Sequence, residues 1–364
     1  MTRRLHLVSG LRIGGKERVA LDLCRSGRAA GHDDRMLLFV HPQSRGPEEL
    51  QADGVPVHEL VHFAAPRSPA PKLGRLERLR ALRSALAELQ PRVLHAHNDS
   101  ALYLSSLVGP NRGHAMRRVT TLHNMPVGLR WRHRAALRLL SCRQDSIVCV
   151  SSELRAARIA GGWIRNADVI PNGVDLTQFY PGGPARDLRS DLGLGQHALI
   201  IGMLARFDSG KRHRDLIDAA VRLSQEGQPI ALALAGDGPL RAATMARIPG
   251  HLPVWSEPHL ADIPALLRGL DAVVLVSDHE GMPMSLLEAM ACGVPVAASN
   301  VGGIPELLDQ GSAGLLFGNG PGELHKALSK LTQASLRESL GRAGTQRVIQ
   351  HYSLGATAAS YSRL

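Results

Sequence analysis

Short apolar runs, each followed by a stretch of helical periodicity, recur along the whole chain, and this alternation limits the fold more than any other feature. In the first half Leu5–Ser9, Met36–Val40, Val93–Ala96, Val119–Leu122 and Ser146–Val150 read as strands. Between them Lys16–Ala30, Leu73–Leu89, Leu129–Arg143 and Glu153–Ala160 read as helices. The second half repeats the pattern with strands at Leu199–Leu204, Ile230–Ala235, Ala272–Val276 and Val294–Ala298. Its helices fall at Lys211–Gln225, Ile263–Leu270 and Met284–Cys292. Strands that alternate with helices build βαβ units, so the fold class is α/β with parallel sheets. At 364 residues the chain is too long for one typical core and suits two domains. The join is expected near Val169–Asp175, ahead of a Gly- and Pro-rich stretch at Phe179–Pro184. Two Pro-rich stretches, His41–Pro47 and Pro66–Pro71, read as loops.

In open parallel sheets ligands gather at the carboxyl ends of strands. Four strand ends carry residues with suitable chemistry. Gly14 and Gly15 follow the first strand and open the first helix, where glycine lets backbone approach a phosphate. Arg206 and Lys211 lie together in the loop after Leu199–Leu204, and two fixed cations beside a helix start suit a pyrophosphate. Gly236 and Gly238, in Gly-Asp-Gly-Pro, end the next strand in a tight turn. His97 and His123 each follow a strand end in the first half, although a lone histidine is more often structural.

The most specific string is Ser277–Val296, with Glu280 in a strand-to-helix loop and Glu288 about two turns further on. Pro283 suits a first helical turn and Gly293 the helix stop. A helix start there turns unpaired N–H groups toward an anion, and the carboxylates beside it can accept sugar hydroxyls. Taken alone, the two glutamates would read as solvated helix-end charges. The longer string changes that. A Glu-x7-Glu pair runs into Glu-Ala-Met-Ala-Cys-Gly-Val-Pro-Val and then Gly302-Gly303-Ile304-Pro305-Glu306. It closely resembles the signature of the retaining GT-B glycosyltransferases of family 4, the "glycosyl transferases group 1".

The resemblance runs over nearly the whole chain. It implies two Rossmann-like doubly wound domains facing across a cleft, residues 1–172 on the acceptor side and 173–350 on the donor side. A last helix, 351–364, would return toward the first domain. The implied activity is glycosyl transfer, EC 2.4, from a UDP- or GDP-sugar to a glycan or lipid-linked acceptor in cell-surface polysaccharide or lipopolysaccharide synthesis. By the same resemblance Glu288 would hold the ribose. Glu280, Gly281, Met282, Met284 and Ser285 would hold the donor sugar and phosphate. Arg206 and Lys211 would neutralise the leaving diphosphate. Gly14, Gly15, Gly236 and Gly238 would lie near the nucleotide. His123 would meet the transferred sugar, and His97 would line the acceptor side. The sequence departs from the family where Arg212 stands in place of a usual glycine.

No cofactor or metal is expected. Asp278-His279-Glu280 imitates an Asp-x-Asp metal motif but belongs to the Glu-x7-Glu helix, and no cluster has zinc-ligand spacing. The alternative within the same architecture is a sugar-nucleotide 2-epimerase. An NAD oxidoreductase would need a Gly-x-Gly-x-x-Gly opening that Gly10–Gly15 does not supply.

Charge divides unevenly. Residues 1–170 hold 27 Lys and Arg against 14 Asp and Glu, whereas 171–364 hold 16 against 18. Nucleic acid is not the expected partner, because aromatics are only 3% of residues and no recognition motif occurs. Arg75, Arg78, Arg80 and Arg83 on one helical stretch, and Arg130, Arg132, Arg134, Arg138 and Arg143 on another, suit either an anionic membrane surface or a solvated face. No apolar run spans a bilayer, the start reads as a strand, and the four cysteines show no framework spacing. These features lead to an expectation of a cytoplasmic protein, peripheral at most on the inner face of the membrane.

Overall fold

The computed structural model describes residues 2–10, 14–39, 54–60, 74–109, 115–127, 131–320 and 322–364. Both Pro-rich loops and Arg130 lie outside the described residues. The chain forms two compact units, Met1–Asn172 with Leu354–Leu364, and Gly173–Ser353.

The first unit holds a parallel sheet of β1 (Arg3–Val8), β2 (Asp33–Leu38), β3 (Val57–Glu59), β4 (Val93–His97), β5 (Arg117–Leu122), β6 (Ser146–Cys149) and β7 (Asp168–Val169). Their spatial order is β3-β2-β1-β4-β5-β6-β7. The order reverses between β1 and β4, so the loops after these two strands open the crevice where doubly wound sheets bind ligands. Helices α1 (Gly15–Ala29), α2 (Arg75–Leu89), α3 (Asp99–Leu107), α4 (Trp131–Ser141) and α5 (Ser152–Ala160) connect the strands. The core on the α2 side includes Leu5, Leu7, Leu37, Leu82, Leu86 and Leu94. The leucines of α2 are therefore largely spent on packing, with Leu76 left exposed.

Strand β2 starts three residues before the apolar run that announces it. Its first two residues are Asp33 and Asp34, in register with Arg3 and Arg4 of β1. Arg3 Nε donates to Asp33 and Arg4 Nε to Asp34, each at 2.7 Å. The strand end is thus held by cross-strand ion pairs, which no hydrophobic period reveals.

The second unit contains α6 (Leu188–Asp191), β8 (Leu199–Leu204), α7 (His213–Gln225), β9 (Ile230–Ala235), α8 (Arg241–Met245), β10 (Val254–Glu257), α9 (Ile263–Arg268) and β11 (Ala272–Leu275). It continues with α10 (Met284–Ala291), β12 (Val296–Ser299), α11 (Ile304–Leu307), β13 (Leu315–Phe317), α12 (Glu323–Leu331) and α13 (Ala334–His351). The parallel sheet runs β10-β9-β8-β11-β12-β13 and reverses between β8 and β11. Strand β9 is buried at every position, as expected of a strand covered on both faces.

The unit runs three residues past the boundary expected at 350. Helix α13 continues to His351, and Val174 N donates to the Tyr352 carbonyl at 2.9 Å, tying both ends of the unit together. The last helix, α14 (Leu354–Ser362), belongs to the first unit and packs against α1. Among the described residues no helix is long and apolar enough to cross a membrane.

Candidate active site

In the second unit the loops after β8 and β11 meet at the switch point. Lys211, in a 3-10 turn at Ser209–Lys211, forms an ion pair with Glu280 across the two loops. Ser277 Oγ donates to the same Glu280 oxygen at 2.6 Å. Asp278 N donates to the Gly210 carbonyl at 2.9 Å, so backbone as well as side chains stitch the loops together. Glu280 is half-buried, and Asp278 and His279 are exposed. Ser277 is a member of this cluster that sequence reasoning missed; its place three residues before Glu280 in the same loop was the available signal.

Helix α10 starts at Met284, as expected, but Pro283 keeps an extended ψ of 123° and serves as N-cap rather than as part of the first turn. Met282 and Met284 are buried and Ser285 half-buried, so this end of the helix is shielded from water. The first N–H groups of a helix have no partner inside it. Glu288 lies in the second turn and is only 5% exposed. The helix stops as expected, with Gly293 in the left-handed region at φ 79°. Gly302 lies against this loop, also left-handed at φ 54°, and Gly303 N donates to the Glu280 carbonyl at 3.4 Å.

Arg206 is 57% exposed on its side chain, with Asp208 at 4.0 Å, and stands free to reach a ligand. Gly236 and Gly238 lie against the backbone of its two chain neighbours, Ala205 and Phe207. A Cβ on Gly236 would lie 2.3 Å from the Ala205 carbonyl oxygen, and one on Gly238 would lie 2.4 Å from that of Phe207. Phe207 N also donates to Asp237 O at 3.0 Å. These two glycines let two backbones touch and thereby shape the Arg206 loop.

Arg212 occupies the left-handed region, φ 39° and ψ 40°, where glycine carries no Cβ penalty. Its side chain offsets that strain through Asp215 at 2.8 Å and Asn319 at 2.7 Å. Asp278 lies 3.8 Å from Arg212, whereas Glu280 pairs with Lys211. The two carboxylates of the Asp-x-Asp-like string thus serve different cations.

In the first unit Gly14 is the N-cap of α1 with extended backbone, φ −169°, and Gly15 opens the helix. His97 ends β4 and His123 follows β5; they are 1% and 7% exposed. His97 Nδ1 and His123 Nε2 are 3.5 Å apart. Asn98, next to His97, has φ 127° with ψ 174°, a region few residues other than glycine enter. Its side chain caps α3 by accepting from Ala101 N at 2.8 Å. Burial holds His97 well below the usual histidine range. Burial, with the nearby Lys16 charge, pushes His123 down to about 3, so both rings are neutral at pH 7.

Sequence reasoning missed several supporting residues of this unit. Lys16 is one. Arg158, 1% exposed on its side chain, is another. It donates to Asp99 at 2.7 and 3.0 Å and to the Asn124 carbonyl at 2.7 Å, which anchors the loop that carries His123. A third is His6, whose Nδ1 lies 3.1 Å from His97 Nε2. His6, His95 and His97 hold three ring nitrogens within 4.8 Å of one another, a grouping of imidazoles that zinc-ligand spacing in the sequence does not show. Two of those nitrogens already face each other as a hydrogen bond. His95 Nε2 is engaged at 2.8 Å with Thr121 Oγ1, which bonds Tyr361 OH of α14 at 2.8 Å.

Comparison with known proteins bears on this geometry. Residues 13–178 match the model of Glycosyltransferase Family 4, and residues 198–334 match that of Glycosyl transferases group 1. Over 329 residues the chain is 30% identical to EpsF of Bacillus subtilis, which carries the name of a glycosyltransferase; the match covers 85% of this chain and 81% of that protein. The chain belongs to the family 4, or group 1, glycosyltransferases. The enzyme is also 25% identical over 293 residues to an N-acetyl-alpha-D-glucosaminyl L-malate synthase of Bacillus anthracis, covering 75% of this chain and 74% of that one. Its fold is the GT-B fold. A sucrose-phosphate synthase from Thermosynechococcus elongatus superposes with a TM-score of 0.82 at 20% identity, covering 100% of this chain and 98% of that one. Anabaena HepE in complex with UDP and glucose superposes with a TM-score of 0.80 at 21% identity, covering 100% and 99%.

Proposed function

We propose that this glycosyltransferase moves a sugar, with retention of anomeric configuration, from a UDP- or GDP-sugar to a glycan or lipid-linked acceptor of a cell-surface polysaccharide. The observation that carries the reading is the Lys211–Glu280–Ser277 cluster, set at a switch point beside the start of α10. Lysine has three N–H donors, and one to Glu280 leaves others for diphosphate oxygens. Arg206, exposed at the same strand end, adds a second cation with fork geometry. Charge grows on the departing diphosphate as the sugar bond breaks, so fixed cations and the α10 N–H groups stabilise the transition state more than the ground state. Glu280 accepts hydroxyls of the donor sugar, and Glu288 those of the ribose. Gly281, Met282, Met284 and Ser285 line the same helix start, and Gly14 and Gly15 offer backbone to the diphosphate.

Glu280 is already engaged by Lys211 and Ser277, which argues against its use as a covalent nucleophile and for departure and attack on one face. Metal is not needed, since these cations balance the diphosphate. EpsF carries the name of a glycosyltransferase, which favours transfer over 2-epimerisation, and HepE was crystallised with UDP and glucose.

A lipid-linked acceptor suits α4. Trp131 and Leu139 are 75% and 71% exposed there, with Arg132, Arg134 and Arg138 exposed beside them. An apolar stripe flanked by arginines lies readily on anionic lipid. Co-sedimentation with anionic and neutral vesicles at low and high salt tests this, and equal binding to both, or none, favours a soluble acceptor.

The central experiment is a thermal-shift screen with UDP-, GDP- and ADP-sugars, since a ligand that binds only the folded state raises Tm. Transfer with the stabilising donor is then followed by NMR of the new anomeric centre. An inverted product, loss of activity in EDTA, or no stabilisation by any sugar nucleotide overturns the corresponding part of the reading.

A further inference from the structure

Four buried groups form a line across the first unit from β2 to the loop after β5. Arg4 Nε donates to Asp34 Oδ1 at 2.7 Å. Asp34 Oδ2 faces His6 Nε2 at 3.5 Å. His6 Nδ1 meets His97 Nε2 at 3.1 Å, and His97 Nδ1 meets His123 Nε2 at 3.5 Å. Asp34, His6, His97 and His123 are 0%, 3%, 1% and 7% exposed, so water does not compete for these contacts. The far nitrogen, His123 Nδ1, is buried and has no hydrogen-bond partner among the described residues; Asp34 Oδ2 and His6 Nε2 face each other at ion-pair distance, without hydrogen-bond geometry.

We propose that Asp34 sets the tautomer of His123 through His6 and His97, so that His123 presents an unprotonated Nδ1 to the transferred sugar. The proposal rests on the reading of His123 as the group that meets that sugar.

A neutral imidazole has one N–H and one lone pair, and the hydrogen bond at one nitrogen decides the state of the other. Asp34 is held ionised: burial works against its charge, but the facing His6 ring and the hydrogen bond from Arg4 outweigh that and lower it below the usual carboxylate range. An ionised carboxylate only accepts. His6 must then carry its proton on Nε2, which leaves Nδ1 to accept. His97 donates to it from Nε2 and accepts at Nδ1. His123 donates in turn from Nε2, and its Nδ1 is left with a bare lone pair. His6 Nδ1 and His97 Nε2, 3.1 Å apart, share one proton, so one of the two donates and the other accepts. A lone pair at Nδ1 accepts from a sugar hydroxyl. It also presents the negative end of the ring dipole to the positive charge that develops on the sugar as its bond to the diphosphate breaks. The same ring with Nδ1–H would oppose that charge. On this reading Asp34, His6 and His97 are positioning residues. His95 stands apart from the line, in its own bonds to Thr121 and Tyr361.

The test is the Asp34→Asn substitution, read by NMR on the full chain labelled with 15N at histidine, with assignments from His6→Gln, His97→Gln and His123→Gln. The introduced amide must keep its oxygen on Arg4 and turn its NH2 toward His6 Nε2. Every tautomer along the line then inverts. The expected result is a pyridine-type Nδ1 on His123 in the wild type and a pyrrole-type Nδ1 in Asp34→Asn. His6→Leu, which leaves the Arg4–Asp34 pair intact, serves if Asp34→Asn does not fold; it should leave His123 as a mixture of tautomers. An Nδ1–H on His123 in the wild type overturns the proposal, as does an unchanged His123 in both variants. UDP-glucose and GDP-mannose are titrated into the wild type as a separate readout. If the tautomers behave as argued but neither nucleotide-sugar perturbs the His123 Nδ1 signal, the relay stands and the sugar-contact reading of His123 falls.

Discussion

Replacing Gly302 with Ala should damage stability and turnover together, because one methyl group would strike the backbone of Glu280. A Cβ at Gly302 would lie 1.8 Å from the Glu280 carbonyl oxygen, 2.9 Å from its carbon and 3.3 Å from its nitrogen. The struck atoms are backbone, so no side-chain rotation relieves the contact. The φ of 54° adds a left-handed conformation that alanine adopts at a cost of about 1 kcal/mol. Overpacking of this kind costs about 1–3 kcal/mol more. At roughly 2–4 °C per kcal/mol for a unit of this size, Tm should fall by roughly 5–15 °C. The strand-end loop must retreat by about an ångström, which carries the Glu280 carboxylate away from Lys211 and Ser277. A displacement of about 1 Å at a reacting centre costs ~10²-fold in rate. Gly227→Ala is the matched control: it lies in the same unit, has φ 86°, and its Cβ would meet nothing within 4 Å. It should lose only the backbone contribution, roughly 2–4 °C. The assays are calorimetric unfolding and transfer from the donor found by screening. If Gly302→Ala unfolds with Gly227→Ala and keeps its turnover, the contact at Glu280 is not what positions the carboxylate.

Other outcomes follow from the same geometry. Glu288→Ala should weaken donor binding by ~1.5–3 kcal/mol in titration calorimetry, through loss of a charged acceptor for buried hydroxyls, and unchanged affinity removes Glu288 from the site. Arg206→Ala and Lys211→Ala should lower kcat with saturating donor far more than they shift Tm; near-normal turnover in both would refute their leaving-group role. Arg158→Met should cost ~3 kcal/mol in urea unfolding, because Asp99 and the Asn124 carbonyl lose a buried cation; a midpoint within error of wild type would show that the pair contributes nothing. Stability should fall on acidification between pH 6.5 and 4. Burial depresses His213 to about 4 and His123 to about 3, so below their unfolded value the unfolded chain binds protons that the folded chain does not. Their contribution is complete above pH 6.5 and lost as pH falls toward those values. His213→Phe keeps the ring stacked on Phe207 and should flatten the dependence of Tm on pH.

Features written within a few residues of chain were legible before any coordinates. Strands β1, β4, β5, β8, β9 and β11 could be read because buried parallel strands are short apolar runs, and α10 because Glu280, Pro283 and Gly293 mark a loop, a start and a stop within fourteen residues. The family signature lies in that same window. Strand ends also pointed to His97, His123, Arg206 and Lys211, since ligand chemistry in such sheets concentrates there. The short strands β3, β7, β10 and β13 went unseen, being only two to four residues long with little periodicity to read. Helices α12 and α13 also went unremarked.

Which side chains meet was left to the folded chain. Asp33 and Asp34 look like turn residues until Arg3 and Arg4 stand in register beside them, 30 positions away. His6 is a polar residue inside the apolar run Leu5–Ser9, and only the pairing of β1 with β4 brings it to His97 across 91 positions. Arg158 was one arginine among many on a basic half, and the fold buried it against Asp99, 59 positions away. Lys211 and Glu280 were each recognised, yet their pairing across 69 positions, with Ser277 on the same oxygen, became visible only where β8 and β11 lie side by side. Periodicity and capping act within a few residues of chain, whereas hydrogen bonds and ion pairs act through space. The parallel sheet, by placing distant strand ends next to one another, converts the first kind of information into the second.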